Sequence, residues 1–296
     1  MKEATGIVVS VVAGYYFVEH GDKVYLCRGR GRLRRAGASP LAGDIVRFNF
    51  DKGAETGVIE AVEPRRNQLQ RPAVANVDAV VVVLAPRSPQ PDLYTADKLL
   101  AHLSFQGIPA VVCVNKSDLD PGGAARYAEL YRKAGYPALS CSAETGQGLE
   151  QLSALLGART VVLAGQSGVG KSKITSALAV GELAVPLQVG QLSAKIERGR
   201  QTTRQVSLLP LAGGGKIADT PGFSVFELDM DSRELHRMYP EFLRHAAGCK
   251  FSSCLHIHEP DCAVKEYVRL GEIAPGRYNN YLRIYQELRE REAQRY

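Results

Sequence analysis

No apolar run in this 296-residue chain approaches the roughly 20 residues that a membrane-spanning helix needs; the longest, around residues 77–85, stops well short. The first residues lack a basic stretch followed by an apolar core and a cleavage site, so a cytoplasmic protein with no membrane partner is expected. There is no internal repeat and no low-complexity tract, and a composition of 45% hydrophobic and 23% charged residues excludes a disordered chain. A disulfide framework is missing too: of six cysteines, Cys27, Cys113 and Cys141 lie singly in apolar, strand-like runs. The other three, Cys249, Cys254 and Cys262, gather around His256 at metal-site spacing. An acidic excess is also absent. The net charge is +6, concentrated at one end, where residues 1–71 carry 12 basic against 8 acidic groups. The length exceeds the usual single domain and implies two or three.

What is present is organised around residues 159–172, a β-branched run that breaks into Gly165, Gln166, Ser167, Gly168, Val169, Gly170, Lys171 and Ser172, with Lys173 following. This fits G-x-x-x-x-G-K-[ST]. Glycines let consecutive N–H groups face phosphates, the lysine reaches the β- and γ-phosphates, and the serine hydroxyl takes Mg²⁺. A helix starting after the loop aims its positive end at the same anion.

Upstream, residues 78–85 and 109–114 read as strands buried on both faces, separated by a helical stretch over 92–106. Alternating strand and helix implies a parallel sheet that binds ligands at its carboxyl ends. Asn115, Lys116 and Asp118 sit at such an end. A carboxylate there accepts both N1–H and the N2 amine of guanine, whereas adenine would leave it facing an acceptor. Asn115 can serve the N7/O6 edge and the Lys116 stem can cover the ring. A third strand ends in Ser142-Ala143, whose backbone can contact the guanine oxygen.

Two further segments complete a nucleotide site. The paired Thr202 and Thr203 can bring a hydroxyl to Mg²⁺ and an N–H to a γ-phosphate. Asp219-Thr220-Pro221-Gly222 follows a strand, so that Asp219 can hold the Mg²⁺ shell while the Gly222 N–H senses the γ-phosphate. Before all of these, residues 6–12, 15–19, 23–27, 44–50 and 57–62 form five short strand patterns, which predict a small barrel. Between the third and fourth lie Arg28, Arg30, Arg32, Arg34 and Arg35 on a glycine-spaced backbone suited to RNA phosphates. The proline- and arginine-bearing segment 64–72 reads as a linker.

These are the guanine, phosphate and magnesium motifs of a GTPase in permuted order, because the guanine motif precedes the phosphate loop. With a barrel before them and a Cys/His cluster after them, the whole chain resembles the ribosome small-subunit-dependent GTPase A family, also called RsgA or YjeQ. The resemblance implies a multidomain fold: an OB-like RNA-binding β-barrel over 1–66, a circularly permuted α/β P-loop GTPase domain over 72–230, and a zinc-binding α-helical domain over 231–296. It implies a ribosome-stimulated GTP hydrolase that acts on the small ribosomal subunit and its rRNA in late maturation, as a monomer with GTP/GDP and Mg²⁺. Cys249, Cys254, His256 and Cys262 would enclose one structural zinc with no open position; His258 is the rival ligand, though the family pattern matches His256. Amphipathic spacing of Tyr278, Leu282, Tyr285 and Leu288 predicts a final helix packed on that zinc domain.

Two departures bear on catalysis. Many GTPases place a water-orienting glutamine after the Asp-x-x-Gly turn; here it is Phe223. The family commonly has a histidine before the paired threonines, where this chain has Gln201. An amide can orient water but cannot act as a base near neutral pH. The expected catalytic set is Lys171, Gln201, Thr203 and Asp219. The missing glutamine leaves an alternative, an RNA-binding nucleotide switch with negligible turnover, and a GTPase acting on protein partners is a third reading that the arginine loop opposes.

Overall fold

The structure, a computed structural model, describes residues 2–30, 39–181, 206–219 and 228–294. Two compact units make up the chain, each discontinuous in sequence. One comprises Met1–Asp78, Ser153–Val162 and Leu178–Phe223; the other comprises Ala79–Leu152, Leu163–Ala177 and Ser224–Tyr296.

The first unit begins with the five expected strands: β1 (Lys2–Val12), β2 (Tyr15–His20), β3 (Lys23–Gly29), β4 (Ile45–Phe50) and β5 (Thr56–Val62). Their pairings close on themselves, since β1 pairs with β2 and β4, β3 with β2 and β5, and β5 with β4. Alternation puts Val8, Tyr16, Val18, Tyr25, Cys27, Val46, Phe48 and Ile59 inside the barrel. β1 is long enough to do more: past an irregularity between Val8 and Ser10, its last residues also pair with β12 (Val206–Pro210), Ser10 opposite Ser207 and Val11 opposite Val206. The Ser10 and Ser207 hydroxyls lie 2.9 Å apart. β12 pairs in turn with β13 (Lys216–Asp219), and β13 runs parallel to the start of β11 (Thr160–Ala164).

Residues 64–72 are not a bare linker. They lead into a two-stranded ladder, β6 (Gln68–Gln70) with β7 (Ala73–Ala75). Arg65 grips the buried Asp44 carboxylate through Nε and Nη2, both at 2.7 Å. Charge-assisted, two-pronged pairing therefore orders a stretch in which local apolar periodicity is absent.

In the second unit β8 (Ala79–Leu84), β9 (Ala110–Val114) and β10 (Ala138–Ser140) run parallel, and every residue of β8 is buried. Helix α1 (Leu93–Phe105) starts at Asp92, whose carboxylate accepts from the Thr95 N–H at 3.0 Å. Helix α2 (Pro121–Ala134) has an Asp120 cap and proline in its first turn, and it stops at Gly135 with φ 101°. α3 (Leu149–Leu156) and α4 (Lys171–Leu178) follow in the chain.

Residues 228–294 close the same unit with 3₁₀ turns and helices α5 (Pro240–His245), α6 (Ala263–Arg269) and α7 (Pro275–Gln294). α7 buries Arg277, Tyr281, Ile284 and Leu288; of the face read from sequence, Leu288 is buried, and Tyr278, Leu282 and Tyr285 are half-buried against the same core. The helix lies along α1 as well as the Cys/His loop: Lys98 Nζ and the Tyr94 hydroxyl both donate to the Glu287 carboxylate.

Candidate functional site

The phosphate loop leaves the end of β11 at Gly165. With φ 137°, a Cβ there would stand 2.2 Å from the Val83 carbonyl oxygen of β8, so only glycine fits. Gly170, with φ 95°, is required by a different neighbour: its Cβ would lie 2.3 Å from Nδ2 of Asn115. The loop and the guanine motif are thus built against each other. Between those glycines Gln166, Ser167 and Gly168 are exposed and Val169 is buried.

Asn115, buried at the carboxyl end of β9, ties three loops together. Its Nδ2 donates to the Val169 carbonyl at 2.8 Å, and its Oδ1 accepts from the Ala143 N–H at 3.0 Å. Lys116 follows at φ 63°, an uncommon backbone state for a side chain with a Cβ, and its Nζ donates to the Ser88 carbonyl. Asp118 Oδ1 accepts from the Ser142 hydroxyl at 2.5 Å, while Ser142 Oγ accepts from the Thr145 N–H at 3.2 Å. Asn115, Lys116, Asp118, Ser142, Ala143 and the loop 165–170 therefore converge within one unit.

Lys171 opens α4, and its Nζ donates to the carbonyls of Gly165 (2.7 Å) and Gln166 (2.8 Å). Burial lowers its pKa from the ordinary lysine value, so an anion would be a more favourable partner than these neutral carbonyls. Ser172 and Lys173 are exposed beside it, and Lys173 is ion-paired with Glu144, a residue to which sequence reasoning gave no role. Asp219 is exposed at the end of β13, opposite Ser207 of β12. Gln201, Thr202, Thr203, Gly222 and Phe223 lie outside the described residues, as do Arg32, Arg34 and Arg35. Of the remaining arginines, Arg28 stacks over Tyr15 at 4.9 Å, and Arg30 is ion-paired with Glu60 at 3.0 Å.

The Cys/His cluster has the geometry of a metal centre. The donor atoms of Cys249, Cys254, His256 and Cys262 all lie within 4.8 Å of one another. His256 Nδ1 is 3.6 Å from Cys249 Sγ and 3.4 Å from Cys262 Sγ, and those two sulfurs are 3.9 Å apart. Tetrahedral ligation at about 2.3 Å for sulfur and about 2.0 Å for nitrogen puts such edges near 3.8 and 3.5 Å, so the residues fit a four-coordinate ion. The exposed His258 is not part of the set. Hydrogen bonds from α7 hold the loop: Tyr278 donates to the His256 carbonyl at 2.7 Å and Tyr281 to the Leu255 carbonyl at 2.5 Å. The Glu259 carboxylate accepts from the N–H groups of Leu255 and Ile257.

The family description "RsgA GTPase" matches residues 62–229, and "RsgA N-terminal domain" matches residues 5–59. A protein of Caldanaerobacter subterraneus subsp. tengcongensis named "Small ribosomal subunit biogenesis GTPase RsgA" is 40% identical over 297 residues, covering 100% of this chain and 99% of that protein. Among solved structures, YloQ, described as a circularly permuted GTPase, superposes with a TM-score of 0.78 at 32% identity, covering 98% of this chain and 96% of its own. YjeQ from Thermotoga maritima gives 0.80 at 35% identity, with 97% and 99% covered.

Proposed function

The chain belongs to the RsgA GTPase family, and from that premise we propose that it hydrolyses GTP to GDP and phosphate while bound to the small ribosomal subunit during that subunit's late maturation. The observation that carries this reading is the triple tie at Asn115, which joins the phosphate loop to both guanine-facing loops. On this account Asp118 reads N1–H and the N2 amine, Asn115 offers its second amide N–H to the base edge, and the Lys116 stem lies on the ring. The N–H groups of 165–173 cradle the phosphates, and Lys171 exchanges the Gly165 and Gln166 carbonyls for β- and γ-phosphate oxygens. Thr202, Thr203, Asp219 and Gly222 close the γ-phosphate end. Mg²⁺ held by Ser172 and Thr203 would neutralise phosphate charge.

The Cys249, Cys254, His256, Cys262 set is assigned to one structural zinc, since three thiolates and an imidazole suit that ion and leave no open position. The arginine loop from Arg28 to Arg35 is assigned to rRNA phosphates. The relatives' names refer to small ribosomal subunit biogenesis, which supports assigning the protein to the cytoplasm; we also assign a monomer.

Guanine reading has a direct test. Asp118→Asn replaces two acceptors by one acceptor and one donor facing N–H groups, and it should raise the Kd for GTP about 30- to 150-fold, or about 2–3 kcal/mol. Equal affinity in calorimetric titration would remove Asp118 from the site.

Turnover is tested by single-turnover hydrolysis with and without saturating small subunits. Phe223 cannot orient water, so the free protein should be slow and the subunit should accelerate it. Gln201 is assigned to hold the attacking water. Gln201→Ala should reduce the stimulated rate roughly 10²-fold with GTP affinity retained, and Gln201→His should keep stimulation. Full stimulation in Gln201→Ala would pass the water to another residue or to the ribosome.

A further inference from the structure

Two buried thiols that hydrolysis does not use stand behind the guanine motif. Cys113 is in β9 and Cys141 immediately follows β10, and the register that sets Leu139 opposite Cys113 puts Cys113, Asn115 and Cys141 on one face. Their sulfurs are 3.2 Å apart, and neither residue is exposed. Cys141 Sγ donates to Oδ1 of Asn115 at 3.6 Å, the same oxygen that accepts the Ala143 N–H. The chain of donors therefore runs from Cys113 to Cys141 to the amide that ties the phosphate loop to the guanine loops.

Resting on the guanine-site reading above, we propose that Cys141, backed by Cys113, is a positioning residue for guanine recognition, and that joining the two sulfurs weakens nucleotide binding. The thiol keeps the Asn115 amide turned so that Nδ2 meets Val169 and the base edge. With hydrogen peroxide as oxidant the step balances: the Cys141 sulfur attacks one peroxide oxygen, giving a sulfenic acid and water. The Cys113 sulfur then displaces the second oxygen as water, so that two thiols and one peroxide yield one S–S bond and two waters. The hydrogen bond from Cys113 holds the Cys141 thiol below its ordinary value although burial opposes this; the products are the same whichever sulfur attacks first. Bonding at about 2.05 Å requires the sulfurs to approach by about 1 Å. It removes the S–H that Oδ1 accepts and draws the 141–143 turn away from its place against Asn115. Because both thiols are fully buried, peroxide reaches them only when the turn against Asn115 opens, an opening that bound GDP should oppose and so slow the reaction.

The test uses the full-length, metal-loaded protein treated with hydrogen peroxide, with peptide mapping under non-reducing conditions and GDP titration before oxidation, after it, and after dithiothreitol. The expected results are a peptide linking Cys113 to Cys141, formed more slowly with GDP bound, and a rise of about tenfold in the GDP Kd that dithiothreitol reverses. In Cys113→Val, which keeps Cys27 and the metal thiols and sets a strand-favouring residue in the core, no linked peptide can form and the peroxide-dependent rise in Kd should be smaller than in the parent. Cys141→Ala should weaken GDP several-fold and Cys141→Ser, which keeps a donor, should recover it. No linked peptide, or an equal response in Cys113→Val, would overturn the proposal. Asp118→Asn in the same titration separates the two claims. If it weakens GDP while oxidation does not, only the thiol inference fails; if it binds as the parent does, the guanine site itself is misplaced.

Discussion

Arg277→Ala should destabilise the second compact unit by about 3–5 kcal/mol, because it strands two carboxylates in the interior. The Arg277 side chain is 3% exposed; its Nε donates to Glu241 Oε1 and its Nη1 to Asp97 Oδ1, both at 2.5 Å. The guanidinium carbon also sits 5.1–5.5 Å from the ring centres of Tyr131, Tyr136 and Tyr239, where desolvated cation–π attraction adds to the ion pairs. Asp97 keeps two neutral donors, the Tyr131 hydroxyl at 3.1 Å and Asn280 Nδ2 at 2.7 Å, which cannot replace the lost cation.

The variant's deficit should also depend on pH. Burial already holds the Asp97 carboxyl above its ordinary value of 3.8, with Arg277 pulling the other way. For an acid whose folded pKa is raised, stability is fully present below the unfolded value and is lost as pH rises through the folded one. Removing the cation raises the folded value further, so Arg277→Ala should be less impaired at pH 5 than at pH 8 in urea unfolding. Adding Asp97→Asn and Glu241→Gln should recover part of the loss. A deficit below about 1 kcal/mol at pH 8 would mean that the network contributes no more than a surface ion pair.

Loss of the zinc proposed for Cys249, Cys254, His256 and Cys262 should have the other large effect. Burial of the ligands and the hydrogen bonds that hold their loop make ion binding part of folding, and zinc-finger peptides gain about 10–16 kcal/mol from it. Cys254→Ser, or prolonged chelation of the parent, should abolish stoichiometric zinc and remove amide-exchange protection from residues 249–270 and from the Tyr278–Tyr281 turn of α7. The nucleotide motifs use none of these residues, so GDP affinity should change by about twofold or less. Full protection in a zinc-free protein would show that the aromatic packing of Phe242, Tyr239 and Tyr281 suffices alone.

The five barrel strands and the phosphate loop were legible because their signals are local: alternation, β-branched runs and glycines at fixed spacing. Spacing alone left His256 and His258 both open; the family pattern pointed to His256, and the structure gathers His256 with the three thiols and leaves His258 outside the set. Arg277 was unreadable for a different reason. A charged residue on a helix is assigned to solvent, and the carboxylates that justify its burial come from α1 and α5, far away in sequence. Arg65 hides the same way, because its partner Asp44 lies 21 residues earlier, just before the neighbouring strand β4. The thiol contact behind Asn115 was invisible because two single cysteines in apolar runs carry no pairing signal.

The joint between β1 and β12 bears on the order in which the chain is made. Every other barrel pairing falls within residues 2–62, so the barrel can close while most of the protein is still unsynthesised. Ser10 and Val206 are 196 residues apart, which at about 5–20 residues per second leaves the end of β1 waiting roughly 10–40 s for its last neighbour. During that interval its free N–H and C=O groups are an open strand edge of the kind that recruits other chains. When β12 emerges it adds to a template already formed, and the hairpin that ends at Asp219 is registered against the barrel from its first moment.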